Sequence, residues 1–265
     1  KCHHHPFEKW SQDDYYALSA FFARMGTKNS QEFGIFGRET VIYIKATGEA
    51  THPRKRVVMK PMPLDGDAKQ SYDDEFDRRK KLADWLVAPT NKMFARNLAN
   101  RFWGYTMGRG LVEPLDDMRA TNPASNPELL DALADDLVRA KFSLKHILRT
   151  IFNSRAYQLS AEVTDGNRAD AANMHFTRRT VRRLSAEQLA DAVDFATGTR
   201  EKYQGLPLGT RGIQLPDSEV ASYLLDTFGR PARQVLCECE RTGVPNIAQA
   251  MHLLNGATLN RKIGE

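Results

Sequence analysis

The sequence predicts a mainly α-helical, multi-helix globular domain with a small β-hairpin or sheet near residues 39–60. Three observations support this fold class. Apolar residues recur at helical spacing in several segments that begin at a capping residue and end at glycine or before proline. Two short runs near the beginning are rich in β-branched residues. The hydrophobic fraction of 41% and the charged fraction of 27% are ordinary for a globular protein.

The first part of the chain carries one predicted helix and both predicted strands. Ser11 is a suitable N-cap with Asp14 three residues later, and Gly26 is expected to end the helix. The runs 39–45 and 56–60 predict strands, because turn and loop residues separate two segments of high β propensity. We expect these two runs to form the hairpin or small sheet.

From residue 75 onward the pattern becomes helical. Apolar spacing predicts helices over 75–87 and 92–107, the second of which ends at Gly108. A third helix is expected to begin at the N-cap Asn126, with Pro127 at the first helical position, where its missing N–H costs nothing.

The remaining helices are marked by their caps. Ser143 is expected to cap a fourth helix, on which His146 lies opposite the apolar stripe and is expected to be solvated and inert. Ser185 begins a capping box before another helix. Asp217 is expected to cap a short helix that ends at Gly229, and a last helix is predicted over 245–254.

Charge and motif content restrict the function classes. The net charge of +5 is distributed over basic clusters that sit beside carboxylates or at element ends, so a solvated surface is favoured over nucleic-acid binding. The sequence contains no run of about 18 apolar residues, so it predicts no membrane span. Because the sequence has no glycine-rich phosphate loop, G-x-S-x-G elbow or H-E-x-x-H pair, the common hydrolase and nucleotide-binding chemistries have no support, and the enzyme class stays open.

A cysteine followed by histidines lies near the beginning of the sequence. The pair Cys2-His3 matches the second half of the C-x-x-C-H pattern that attaches a c-type haem. The alternatives are a remnant of a purification tag and a metal-binding or loop histidine cluster that includes His5.

A second pair of thiols lies near the other end. Cys237 and Cys239 alternate with glutamates, so both fall on one side of an extended segment, where they suit a metal, a redox role or a packed core. Two thiolates do not complete a zinc site, so a closed site requires the chain ends to meet. The candidate metal ligands are then Cys2, His3, His5, Cys237 and Cys239, with zinc or iron as the metal.

The helix predicted over 92–107 is apolar nearly all round, which is typical of a buried helix. Arg101 lies on one of its faces beside Asn97, and a buried arginine needs an anionic partner. That partner is either an aspartate of the following loop, which would fix the loop on the helix, or an anionic ligand such as a carboxylate, a sulfate or a haem propionate. The candidate ligand-binding residues on the helix and loop are Arg96, Arg101, Arg109, Asp116, Asp117 and Arg119.

Many ordered motifs resemble the C-terminal uncharacterised domain of planctomycete cytochrome-c-associated proteins. The matching segments are 82–86, 91–96, 100–103, 108–112, 116–119, 126–131, 182–188, 228–231, 237–241 and 252–256. The opening segment, 2–16, resembles the end of the uncharacterised domain that precedes it in those proteins. The resemblance implies two domains: a tail of a Cys-His-containing domain with a small β element over 1–70, and a helical C-terminal domain over 71–265.

The resemblance also implies a setting for the chain. Such domains commonly follow a cytochrome-c-like haem domain in large exported proteins, so upstream cytochrome-c-like and uncharacterised domains are expected partners, and the periplasm or cell surface is the expected location. The preceding domain usually carries a complete C-x-x-C-H, of which Cys2-His3 is present here, and His3 would be the axial ligand of a haem c.

Two functions are therefore expected. One is a redox-linked module with a haem c or metal centre at Cys2 and His3. The alternative is a non-catalytic binding or scaffold domain for an anionic ligand, such as an acidic or sulfated glycan, or for a partner domain. A metal-dependent hydrolase is a third possibility, but no general base is recognisable for it.

Overall fold

The computed structural model describes residues 9–29, 40–232 and 245–264. Most of the regular structure is helical, and the described strands form two small antiparallel sheets, which confirms the predicted fold class. The chain divides into an N-terminal unit, Lys1–Thr180, and a C-terminal unit, Val181–Glu265. The domain boundary predicted between residues 70 and 71 stays a prediction.

The helices follow the predicted order closely. Described helices are α1 (Gln12–Ser19), α2 (Arg79–Leu86), α3 (Lys92–Met107), α4 (Pro127–Arg139), α5 (Leu144–Phe152), α6 (Ala186–Thr197), α7 (Tyr223–Thr227), α8 (Ile247–Asn255) and α9 (Ala257–Gly264). Short 3-10 helices cover Ala20–Phe22 and Gly212–Gln214. The sequence did not predict α9 as a separate helix, because Asn255-Gly256 was interpreted as the end of helical structure.

Capping explains why the predicted starts of α4, α5 and α6 and the predicted end of α3 are accurate, whereas α2 begins at Arg79 and α7 at Tyr223, later than predicted. Asn126, Ser143 and Ser185 each accept a hydrogen bond from a backbone N–H in the first turn of the helix that follows. Gly108 ends α3 at φ 89°, a left-handed conformation that glycine adopts without the steric cost of a side chain.

The strands are present, but they pair differently from the expected hairpin. The strand β2 (Thr40–Ile44) pairs antiparallel with β1 (Met25–Asn29), and β3 (Ala50–Thr51) pairs with β4 (Val58–Met59). The expectation that Gly26 ends the first helix is wrong, because α1 already ends at Ser19 and Gly26 lies opposite Tyr43 in the first sheet. A Cβ atom at Gly26 would lie 2.7 Å from the Tyr43 ring, so glycine permits this close cross-strand contact.

The N-terminal unit contains two hydrophobic clusters. In the larger one, α3, α4 and α5 bury one another's apolar stripes, and the Trp103 ring contacts Phe176 edge-on at 5.1 Å. Each fully buried leucine or isoleucine contributes about 1.5–3 kcal/mol through removal of apolar surface from water. The smaller cluster joins the residues before α2 to α2 itself through Phe21, Tyr72 and Leu82.

The C-terminal unit has its own core. Ala186 and Ala190 on α6 pack with Leu224 and Leu225 on α7 and with the Tyr203 ring. Burial removes water from the Tyr203 hydroxyl and, with nearby carboxylates, raises its pKa to about 12.

Candidate functional site

Asn100, on α3, is fully buried and fixes the loop that follows the helix. Its Nδ2 atom donates to the carbonyl oxygens of Val112 at 2.9 Å and Leu115 at 3.2 Å, and its Oδ1 atom accepts from the Val112 N–H at 2.9 Å. Gly104 and Gly110 let the loop approach, because a Cβ atom at either position would overlap Leu115 or the Val112 carbonyl. The loop is therefore anchored on α3 by a single amide side chain.

The outer part of the same loop is stabilised by its own side chains. Asn122 donates from Nδ2 to the carbonyl oxygens of Glu113 at 3.0 Å and Asp117 at 2.9 Å. Arg119 donates to both carboxylate oxygens of Asp117, at 2.5 and 2.6 Å, and this hydrogen bonding lowers the pKa of Asp117. Two of the predicted ligand-binding residues therefore form an ion pair within the loop.

Arg101 is half-buried and lies along the surface of α3. Its guanidinium donates to Asn97 Oδ1 and to the Tyr105 hydroxyl, both at 3.2 Å, one turn before and one turn after it. Asn97 was predicted to lie beside it on this face. Arg96 lies about 140° away around the helix axis, since each residue advances about 100°. The predicted arginines therefore occupy different surfaces of α3 and its loop.

Arg96 lies in a cleft of about 500 Å³ between α3 and α4. Ala95, Ala134 and Val138 supply apolar lining, and charged side chains complete it. The charged lining residues are Lys92, Arg96, Asp131, Asp135 and Arg139. Three cations and two carboxylates give the cleft one net positive charge.

The Arg96 guanidinium is incompletely satisfied in this cleft. Its Nε atom lies 3.2 Å from Asp131 Oδ1, within ion-pair range. The N–H is poorly aligned with that oxygen, so the buried Nε has no hydrogen-bond partner within the described ranges. Because buried donors are normally hydrogen-bonded, a better aligned acceptor in place of Asp131 would satisfy this atom.

The spacing of these charges is visible in the sequence. Lys92 and Arg96 are four residues apart, as are Asp131 and Asp135 and then Arg139, so each set follows one helix face. What the spacing does not reveal is that the two faces meet. Only the packing of α3 against α4 brings them together.

His146 also differs from the prediction of a solvated, inert side chain. Its Nε2 atom lies 2.7 Å from Asp136 Oδ2, which connects α5 to α4. Desolvation raises the pKa of Asp136, but the hydrogen bonds from His146 and Arg139 outweigh it and the net pKa is lowered. The helical wheel placed His146 correctly away from its own stripe but carried no information about α4.

The C-terminal unit contains a second polar cluster, around the buried Lys262 of α9. Its ammonium lies 2.6 Å from Asp194 Oδ1, 3.0 Å from Glu201 Oε2 and 3.4 Å from Thr199 Oγ1, which uses its three donors. Desolvation lowers the pKa of Lys262, but the hydrogen bonds to Asp194 and Glu201 outweigh it and the net pKa is raised. The cluster ties α9 to α6 and is a structural feature.

We expect Lys262→Met to destabilise the C-terminal unit by about 2–3 kcal/mol, because it leaves two carboxylates without their shared ammonium. Because the pKa of Lys262 is raised, its contribution to stability is complete below the ordinary lysine pKa of 10.5. This contribution is lost as the pH rises through the pKa of Lys262 in the folded protein. Hydrogen exchange of residues 257–264 measures the effect. Arg261→Met is the control, since Arg261 is largely exposed and 3.4 Å from Glu201. Equal hydrogen exchange in the two variants would contradict the structural role of Lys262.

The predicted haem and metal ligands Cys2, His3, His5, Cys237 and Cys239 lie outside the described residues. Within the described ranges, no group of three or more histidine, cysteine, aspartate or glutamate side chains is arranged to hold a metal ion. Of the helices in the same ranges, none has both the length and the apolar character needed to cross a membrane.

Comparison with known protein families gives a match over most of the chain. The protein-family model described as "PSD1: Protein of unknown function (DUF1553)" matches residues 78–264. No curated protein and no solved structure matches the chain.

Proposed function

Because the chain belongs to the PSD1 family of proteins of unknown function (DUF1553), its own residues must supply the functional argument, and we propose that it is a non-catalytic binding module for an anionic ligand. The proposed binding site is the cleft between α3 and α4 that Arg96 lines. The observation that carries the proposal is the buried Arg96 Nε, which lies in this cationic cleft without an aligned acceptor.

The proposed ligand class follows from the chemistry of the cleft. A guanidinium recognises a carboxylate or sulfate through paired hydrogen bonds, and the neighbouring Lys92 and Arg139 add attraction. The volume of about 500 Å³ is in the range of small-molecule sites. Acidic or sulfated oligosaccharides combine such anionic groups with carbon surface that can lie on the partly buried Val138. An anionic segment of a partner domain is the other occupant of the same class.

We expect Arg96→Gln to weaken binding of a chondroitin sulfate tetrasaccharide by at least about tenfold, because hydrogen bonds to charged groups contribute about 1.5–3 kcal/mol. Titration calorimetry of the whole chain at low ionic strength measures this, with a neutral tetrasaccharide as a ligand control. Arg168→Gln is the matched variant: it removes the same charge from an exposed Arg168–Asp165 pair that does not line the cleft. Equal losses in the two variants would refute the site.

The other predicted ligand-binding residues are proposed as an extension of the site, outside the cleft and on other surfaces of α3 and its loop, that only longer ligands reach. They are Arg101, Arg109, Asp116, Asp117 and Arg119. If Arg119→Gln weakens binding of a longer chondroitin sulfate oligosaccharide but not of the tetrasaccharide, the extension is supported. Unchanged binding of both ligands restricts the site to the cleft.

The redox-linked module stays a second proposal, supported by Cys2-His3 in the sequence. In it, a haem c or a zinc or iron centre involves Cys2, His3 and His5, with Cys237 and Cys239 as further metal ligands. The planctomycete cytochrome-c association, the upstream haem-domain partner and the exported location belong to this proposal. Elemental analysis and an absorption spectrum of untagged protein that includes the upstream residues test it: iron with a Soret band supports haem, and neither haem nor metal refutes it.

A further inference from the structure

Asp131 is the carboxylate of the α3–α4 cleft that lies within ion-pair range of the Arg96 guanidinium. Its Oδ1 atom is 3.2 Å from Arg96 Nε, and its side chain is 54% exposed while that of Arg96 is 35% exposed. Both groups therefore retain contact with water, and an ion pair in such a setting is weak and easily exchanged.

Asp135 provides an internal comparison. It lies one helical turn after Asp131 and lines the same cleft. In the described part of the chain, however, no ion pair joins Asp135 to Arg96. The two aspartates thus contribute equally to the charge of the cleft but differ in their contact with the guanidinium.

The geometry points to Asp131 as an internal competitor, which occupies the position at Arg96 that the anionic group of the ligand takes. This inference rests on the proposed function. Binding exchanges one carboxylate for another anion: the Asp131–Arg96 contact is lost, Asp131 becomes hydrated, and the ligand hydrogen-bonds the guanidinium. The misaligned Arg96–Asp131 pair is easily displaced, because a ligand that approaches from the cleft can align with both Nε and a terminal nitrogen.

The exchange limits which ligands bind. A single weak anion at a low concentration does not displace Asp131, whose carboxylate is tethered beside the guanidinium. A ligand with several anionic groups, which Lys92 and Arg139 also attract, does displace it. The cleft thus selects for multiply charged ligands over simple carboxylates.

The test compares Asp131→Asn with Asp135→Asn in titrations of the whole chain with the chondroitin sulfate tetrasaccharide. Each variant removes one negative charge from the cleft, but only Asp131→Asn removes the competitor. We expect Asp131→Asn to bind about fivefold more tightly than wild type, and Asp135→Asn to gain about twofold or less from general electrostatics. The gain from Asp131→Asn should disappear in the Arg96→Gln background, because the two residues act as a coupled pair.

The outcomes separate the inference from the proposed function. If Asp131→Asn improves binding no more than Asp135→Asn does, the exchange is overturned and the binding site is left intact. A gain that persists in the Arg96→Gln background also overturns the exchange. If the wild type binds the tetrasaccharide no more tightly than Arg96→Gln does, the proposed function is overturned, and the exchange with it. Thermal unfolding of each variant confirms that the compared proteins are folded.

Discussion

Replacing Asn100 with leucine is expected to lower the free energy of unfolding of the N-terminal unit by about 3–5 kcal/mol. Leucine has a similar size, but it leaves the buried N–H and carbonyl of Val112 and the half-buried carbonyl of Leu115 without the amide that binds them. Each unsatisfied buried group of this kind costs about 1–3 kcal/mol. We therefore expect the substitution to loosen the loop as well as the helix that carries it.

Tryptophan fluorescence in urea measures this effect selectively. All three tryptophans of the chain, Trp10, Trp85 and Trp103, belong to the N-terminal unit. Asn97→Leu is the matched control, because Asn97 is half-buried on the same helix and accepts one hydrogen bond from Arg101. It should cost less than about 1 kcal/mol. Similar urea midpoints for the two variants would mean that Asn100 does not anchor the loop.

Replacing Arg78 with methionine is expected to cost about 3 kcal/mol, because it removes charge-assisted hydrogen bonds to two carboxylates, each of which contributes about 1.5–3 kcal/mol. The Arg78 side chain is 3% exposed and forms ion pairs with Asp73 at 2.6 Å and Glu49 at 2.9 Å. Arg78 also donates to the Ala20 carbonyl oxygen at 3.3 Å. The substitution therefore disconnects the residues before α2 from α2. Arg79→Met is the control, since Arg79 is 37% exposed and pairs with Asp77 nearby.

The same variant should have an altered acid stability. Hydrogen bonding from Arg78 lowers the pKa of Asp73. Burial raises the pKa of Glu49, but the hydrogen bonds from Arg24 and Arg78 outweigh the burial, so the pKa of Glu49 is lowered as well. Carboxylates with lowered pKa values contribute stability above their ordinary values of 3.8 and 4.5, and lose it as the pH falls through the folded values. The wild type should lose stability below about pH 4.5 more steeply than Arg78→Met. Parallel acid profiles would contradict this network.

Local signals explain which parts of the fold were predictable. The bounds of α3 and the caps Asn126, Ser143 and Ser185 depend on residues within a few positions of each helix end, so the sequence contains the required information. Strand pairing, in contrast, depends on residues that are far apart in the sequence. Nothing close to Gly26 in the sequence indicates that Tyr43 lies opposite it.

The candidate site was less predictable for the same reason. The arginine-rich helix was recognised, and Arg96 does line a cationic cleft. Its neighbours Asp131 and Arg139 were missed, because they come from a helix about 35 residues later that packs against α3. Asn100 was also overlooked, since an asparagine inside a helix has no local signature of a buried anchor, and only the returning loop supplies its three partners.

The position of Arg78 has a consequence for recombinant fragments of this protein. The family match begins at residue 78, so a fragment cut at that boundary would start with this arginine and lack Glu49, Asp73 and the Ala20 carbonyl. It would also lack Phe21 and Tyr72, which cover Leu82. Such a fragment should express as a protein with a frayed α2 and an exposed apolar patch. Cutting between residues 180 and 181 keeps all of these contacts in one polypeptide.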